Sequence, residues 1–488
     1  MPYLRQATLP PEIWNQILGE VPQTHLPKLL DTCSLFHDIA IKSLFSSIKV
    51  YFIGGEMGLQ MLNTLHADWT EETAMKLMCK SWEILNHICQ EPRFARIVKS
   101  ITVIAFADGQ SIFERLSVAN ALLFTPNLQT FRWIGNGPPL DSMVGECLPS
   151  SLKKLVVQSS FPLESMQHLN NVTSLHLPMP FLFPDDEEAH DRLVYDPTFQ
   201  EISEFSLGNI LQFMSPNLQS LRITATQVRD VPIRTFNTLK DLEVLSTIGD
   251  QEELVGLDMV FRHATKLESL TLVGLFVPEI FSFLPHHSVE SLPLLTSFRL
   301  SCEDSIALGH GGEDEFQALC GFLQGRRLLR RLYLRLPMMR WSQTSRLLCV
   351  IRDLIGIEVL GLHTGRDVLT DPDVIKTLAM SLPLKLNALH IAINWGGGDL
   401  LPLVDVIGKL PRLTFLHLYG VVVRLPILLE DLAFEAKGLQ MIGLNRALWD
   451  IERVGLELVK NKYPRWKIKF CVEEDFLCAD DAWLFKYN

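Results

Sequence analysis

Residues 329–334 read Leu329-Arg330-Arg331-Leu332-Tyr333-Leu334: apolar, two variable, apolar, one variable, apolar. The same pattern returns as Val98-Ile101-Val103, Leu128-Phe131-Trp133, Leu152-Leu155-Val157, Val172-Leu175-Leu177, Leu218-Leu221-Ile223 and Leu242-Leu245. It continues as Leu267-Leu270-Leu272, Leu295-Phe298-Leu300, Ile357-Leu360-Leu362, Leu386-Leu389-Ile391, Leu413-Leu416-Leu418 and Leu439-Ile442-Leu444. Starts lie 24 to 30 residues apart in nine of twelve intervals, so the pattern is a structural repeat and not a scatter of leucines. Alternation places the last apolar positions on one face of a short strand. Apolar residues at helical spacing follow, as in Phe316-Leu319-Cys320-Leu323 and Leu400-Leu403-Val404-Ile407. One such unit cannot bury its own inner face, so the units stack with their strands parallel. Another kind of α/β sheet domain, in which parallel strands also alternate with helices, is the rival reading.

The L-x-x-L-x-L core resembles the leucine-rich repeat. The resemblance implies a curved α/β leucine-rich-repeat solenoid, with parallel strands on the concave face, over residues 96–470. The copies are degenerate: Asn394 and Asn445 stand near the usual post-strand asparagine, and Gly, Ser or Thr stand there in most others. Residues 51–95 read as a helical linker and cap, with a turn at Gly54-Gly55 and a helix from Trp69 to Cys89. At the far end, Leu448–Val459 reads as a helix and Trp466–Phe470 as a last strand. An acidic tail, 471–488, follows; it either frays or is pinned by Phe476, Leu477, Trp483, Leu484 and Phe485.

The N-terminus carries a different signal. Pro11 and Glu12 open a helix with apolar residues at Ile13, Ile17, Leu18 and Val21. After a break, Leu26, Leu29, Leu30 and Cys33 form a second stripe, and Phe36, Ile39 and Ala40 a third. So few residues close no large core of their own, and a segment this apolar asks for a partner surface. Over residues 5–50 the order and spacing resemble the F-box, with His25 in place of the usual acid and Phe36 where Trp is common. Together with the repeats, the chain resembles the F-box/leucine-rich-repeat families of filamentous fungi. That resemblance implies docking on a Skp-type adaptor, and through it a cullin, by Leu9, Pro10, Ile13, Ile17, Leu18, Leu26 and Leu29, with Leu30 and Phe36 supporting the helices. The implied role is the target-recognition subunit of a Skp–cullin–F-box ubiquitin ligase. A scaffold acting outside any ligase and a plain leucine-rich-repeat interaction module are the alternatives.

Composition narrows the classes. Apolar residues make up 47% of 488, enough for a large core. No run approaches the roughly 18 apolar residues of a membrane helix, and Pro10-Pro11 would break a signal peptide. Nine cysteines without C-x-x-C spacing suit reduced thiols, hence an expected cytoplasmic or nuclear setting. The net charge of −12 argues against general nucleic-acid binding. Part of it sits in Asp185-Asp186-Glu187-Glu188, an acidic loop in a long interval between repeats. No phosphate loop, zinc-protease pair or serine elbow is present, so the expectation is a non-catalytic protein without cofactor or metal. Gly309–Gly312 and Gly396–Gly398 read as loops.

The variable residue between the last two apolar positions points to the concave side. From Leu128 onward the series reads Arg132, Val156, His176, Arg222, Ser246, Thr271, Arg299, Tyr333, Gly361, His390, His417 and Gly443, with Arg331, Arg335 and His363 in flanking positions. No acid occurs in it. The expectation is a target-binding face for an acidic or phosphorylated segment, since arginine grips carboxylate or phosphate with paired hydrogen bonds. Arg299, Arg331, Tyr333 and Arg335 form its densest cluster. His363, His390 and His417 lack an accompanying carboxylate or thiol and read as a solvent-facing ladder, not a metal site.

Overall fold

In a computed structural model, the described residues are 9–19, 21, 26–55, 71–107, 111–159, 168–177, 207–246, 256–274, 290–302, 313–337, 339–364, 372–395, 400–420, 425, 427–455, 457–464, 468, 470–476 and 478–486. The acidic loop at 185–188, the glycines at 309–312 and 396–398, His25, Trp466 and Leu477 lie outside them. The chain divides into two compact units, Met1–Val172 and Thr173–Asn488.

The first unit opens with α1 (Pro11–Gly19), a single 3-10 turn at Leu26–Leu29 and α2 (Ser34–Phe45). Trp14 and Phe36 meet edge to face at 4.8 Å and tie α1 to α2. Among the described residues four parallel strands follow: β1 (Ser47–Gly54), β2 (Ser100–Ala107), β3 (Thr130–Gly137) and β4 (Lys154–Gln158). The start of the helical linker and cap expected from residue 51 is therefore corrected. It begins inside β1, whose Ile48, Val50 and Phe52 are buried. The run Ile-Lys-Val-Tyr-Phe-Ile is β-branched and aromatic, which suits a pleated, half-covered surface better than a helix. A long helix, α3 (Glu71–Gln90), then covers it, with Phe52 against Trp82 and the Tyr51 amide donating to Ser81 Oγ.

Among its described residues the second unit has ten parallel strands: β5 (Ser174–His176), β6 (Ser220–Thr224), β7 (Asp241–Ser246), β8 (Ser269–Gly274), β9 (Ser297–Cys302), β10 (Arg331–Leu336), β11 (Val359–Thr364), β12 (Ala388–Ile393), β13 (Phe415–Gly420) and β14 (Met441–Leu444). Each strand neighbours the next in sequence, and helices such as Trp341–Asp353 and Leu401–Gly408 return the chain. Leu332 and Leu334 of β10 pack inward with Leu347, Leu348 and Ile351 of the helix that follows, all essentially without solvent contact. This is the α/β leucine-rich-repeat architecture.

The array does not end in a helix. Residues expected to be helical, Leu448–Val459, form an antiparallel pair instead: β15 (Ala447–Val454) runs back along β14, and β16 (Glu457–Lys462) along β15. The reversals explain it. Asn445 and Gly455 both take the left-handed backbone conformation that tight turns need. The exposed, charged face of β16 then guards the sheet edge against further pairing. The last strand expected at Trp466–Phe470 is also corrected where described: Ile468 accepts the helical pattern by donating its amide to the Pro464 carbonyl.

Candidate functional site

Two surfaces invite a partner, one in each unit. On α1 and the residues before it, Leu9, Ile13 and Ile17 are 44%, 39% and 43% exposed. Ile13 and Ile17 are four residues apart, so they lie on one helix face. Pro10 is also exposed and Leu29 is half-buried. Leu18 and Leu26 retain only 5% and 1% of their surface, so they pack among the helices and are not part of the exposed face. That corrects the expectation of an outward position for two of the seven residues. Period alone marks a stripe as apolar without saying which side of it is covered.

In the second unit the strand register lines up one row of side chains: His176, Arg222, Glu243, Thr271, Arg299, Tyr333, Gly361, His390, His417 and Gly443. The residue of β7 in this row is Glu243, not Ser246. The repeat begins at Leu239, three residues earlier than Leu242, because the Lys240 amide bonds to the Gln219 carbonyl just as the Gln219 amide bonds to Thr173. The row thus does contain an acid. Arg222 lies 2.9 Å from Glu243 in a buried ion pair. Burial pushes the Glu243 carboxyl up, and Arg222 and Lys486 overcome it, leaving Glu243 below its ordinary range. Arg132 belongs to the first unit, where its guanidinium donates to Ser100 Oγ at 3.0 Å. His176 sits 3.3 Å from Ser174 Oγ.

The centre of the row is a stack. The Arg299 guanidinium lies 4.0 Å from the Tyr333 ring centroid, and Tyr333 stacks on His390 at 5.8 Å across Gly361. Only a residue without a Cβ leaves this space: one added at Gly361 would meet the Tyr333 ring at 2.0 Å. His390 Nδ1 and His417 Nδ1 are 3.0 Å apart, and His417 Nε2 lies 2.7 Å from the Asn445 carbonyl. A carbonyl only accepts, so His417 carries its proton on Nε2 and accepts at Nδ1 from His390. The expected solvent-facing ladder is therefore a buried one: His390 and His417 are 3% and 5% exposed. Burial holds His417 down at about 4 and His390 well below its ordinary value. His363, half-buried beside Arg335 on the flanking row, is lowered by burial and by that arginine. Among the described residues no group of three His, Cys, Asp or Glu has metal-binding geometry.

The chain's own C-terminus covers this stack. The helix Ala479–Phe485 carries Asp480, which accepts two hydrogen bonds from Arg330, both 2.8 Å, and one from Arg331 Nε at 2.8 Å. The arginines draw Asp480 below its ordinary value against the effect of burial. Arg299 donates to the Trp483 and Leu484 carbonyls and lies 4.6 Å from the Trp483 ring. Phe485 packs on His417 and Phe415, and Lys486 pairs with Glu243. Leu484 and Phe485 share one apolar cluster with Tyr333, Val359, Ala388 and Phe415. Asp481 is 2% exposed and burial lifts its carboxyl to about 6. Sequence reasoning chose Arg299, Arg331 and Tyr333 correctly as neighbours and missed Arg330, Glu243, Asp480 and Lys486. Glu243 was findable from the Leu239 start; the others depend on where the tail folds.

No family model and no curated protein matches this chain. Among solved structures it is similar to leucine-rich-repeat proteins. A TLR13–ssRNA13 complex aligns at 16% identity and TM-score 0.32, over 71% of this chain and 45% of that one. An internalin C2 from Listeria monocytogenes aligns at 16% identity and TM-score 0.24, over 49% of this chain and 84% of that one. The chain thus spans less than half the length of the TLR13 chain. The repeat fold itself rests on the strand register and the return helices.

Proposed function

We propose that this is a non-catalytic target receptor of a cullin-based ubiquitin ligase, working inside the cell, in the cytoplasm or nucleus. The N-terminal helices dock on a Skp-type adaptor, which holds the cullin, and the repeat unit captures a target protein. The observation that carries the adaptor half is the exposed stripe of Leu9, Ile13 and Ile17 on a segment too small to hide it. No side-chain chemistry is required of such a receptor. It raises the effective concentration of the target beside the ubiquitin carrier. Nucleic acid and membrane are not its partners in this reading.

Copurification with a Skp-type adaptor tests it. The wild-type chain should be captured, and Ile13→Asp/Ile17→Asp should lose capture by at least about tenfold, since two exposed anchors become charges that must be desolvated. Both positions are on the surface, so the thermal transition should not move. Failure of the wild type to bind would leave a plain leucine-rich-repeat interaction module. Binding without cullin-dependent ubiquitination of any captured protein would select a scaffold outside the ligase.

A further inference from the structure

The row of charges on the repeat unit matches the tail residue by residue. Arg330 and Arg331 take Asp480, Arg299 takes two backbone carbonyls and the Trp483 ring, His417 and Phe415 take Phe485, and Glu243 takes Lys486. None of these contacts adds a strand to the sheet; the listener on each side is a side chain or a carbonyl at the end of a seven-residue helix. One feature opposes the docking. Asp481 is carried into the buried side of the interface, where its Oδ1 has no hydrogen-bond partner. A carboxylate buried in this way is costly, and the hydrogen bond with the Cys478 side chain offsets only part of that cost. The tail is held by specific groups and is at the same time weakened by one of its own.

We propose that the face built from Arg299, Arg330, Arg331, Glu243 and His417 is a binding site for an acidic–aromatic–basic peptide segment of the target, and that residues 480–486 occupy it as an internal competitor. The segment has an acid at the Asp480 position, an aromatic ring three residues on, an apolar residue and a second ring, then a base. The proposal rests on the reading of the chain as a target receptor, but only on its repeat half. A tethered occupant acts at an effective concentration of roughly millimolar, so an external segment binds when it fits better, when the tail is weakened, or when it is supplied above that concentration.

The probe is a fluorescein-labelled peptide of residues 472–488, followed by anisotropy on two full-length chains. Asp480→Lys/Trp483→Ala in the chain should bind it at least tenfold more tightly than wild type, and a peptide carrying Asp480→Lys should not bind. Equal affinity for both chains, or no binding to the substituted one, overturns the proposal. A second measurement needs no variant. Saturating the wild-type chain with the same peptide in carbon-13-labelled form should speed amide exchange of its own residues 479–485 at least tenfold, and unchanged exchange also overturns it. Adaptor capture is read separately, so a failure here is distinct from a failure of the ligase reading.

Discussion

Asp481 and the histidine pair carry opposite pH dependences within one interface. The Asp481 carboxyl stands at about 6 against an ordinary 3.8. A carboxyl raised on folding contributes stability that is present below the unfolded value and lost as pH rises through the folded one. At pH 7.5 the ionised group therefore costs on the order of 3 kcal/mol as an upper figure, at 1.36 kcal/mol per unit. Asp481→Asn should raise the thermal midpoint at pH 7.5 and lose that advantage near pH 4; a midpoint unchanged at both values would contradict the burial. His417 runs the other way. Its value is lowered from 6.5 to about 4, so its contribution is complete above 6.5 and erodes as pH falls from there to about 4. Protonation would set two N–H groups face to face at 3.0 Å, with Arg299 and Arg335 adding positive charge around His390. His417→Gln keeps a donor for the Asn445 carbonyl and removes the titration. A urea midpoint measured from pH 7 to 4.5 should fall less steeply in this variant than in wild type. At this scale the sequence shows the residue types faithfully; Glu243 is hidden in it because Leu242-Leu245 imitates a repeat start that the backbone register sets at Leu239.

At the scale of the element, glycines separate two kinds of site. Gly361 lies in β11 beneath the Tyr333 ring, which Arg299 and His390 hold from both sides. The ring has nowhere to retreat, so Gly361→Ala should cost about 1–3 kcal/mol by overpacking. Gly321 lies in the helix Glu313–Leu323 with open space where a Cβ would go. Gly321→Ala should stabilise by roughly 0.5–1 kcal/mol through helix propensity. Differential scanning calorimetry of the two variants checks the contrast, and equal shifts would refute the stack. The same scale explains the hairpin β15–β16. Leu448 and Ile451 are three apart and look helical, but the flanking turns at Asn445 and Gly455 reverse the chain before a helix closes. A short apolar spacing does not distinguish helix from strand when turn residues stand so near.

For the molecule as a whole, the stack of parallel strands was legible because each repeat writes its own copy of one pattern, and thirteen copies correct one another's errors. Strand β1 escaped that reading because its repeat departs from the spacing, as terminal repeats do. The exposed apolar face at Ile13 and Ile17 was legible as a stripe, while Leu18 of that stripe and Leu26 of the next turned inward. By itself, then, the sequence determined the repeat fold and the identity of the basic and aromatic residues on its open face, because periodicity is local and recurs. Only the tertiary structure decided what meets that face. Asp480 reaches Arg330 across 150 positions and Lys486 reaches Glu243 across 243. No local pattern encodes a pairing over such separations, since charge and shape select it only after the strands have set the row in register.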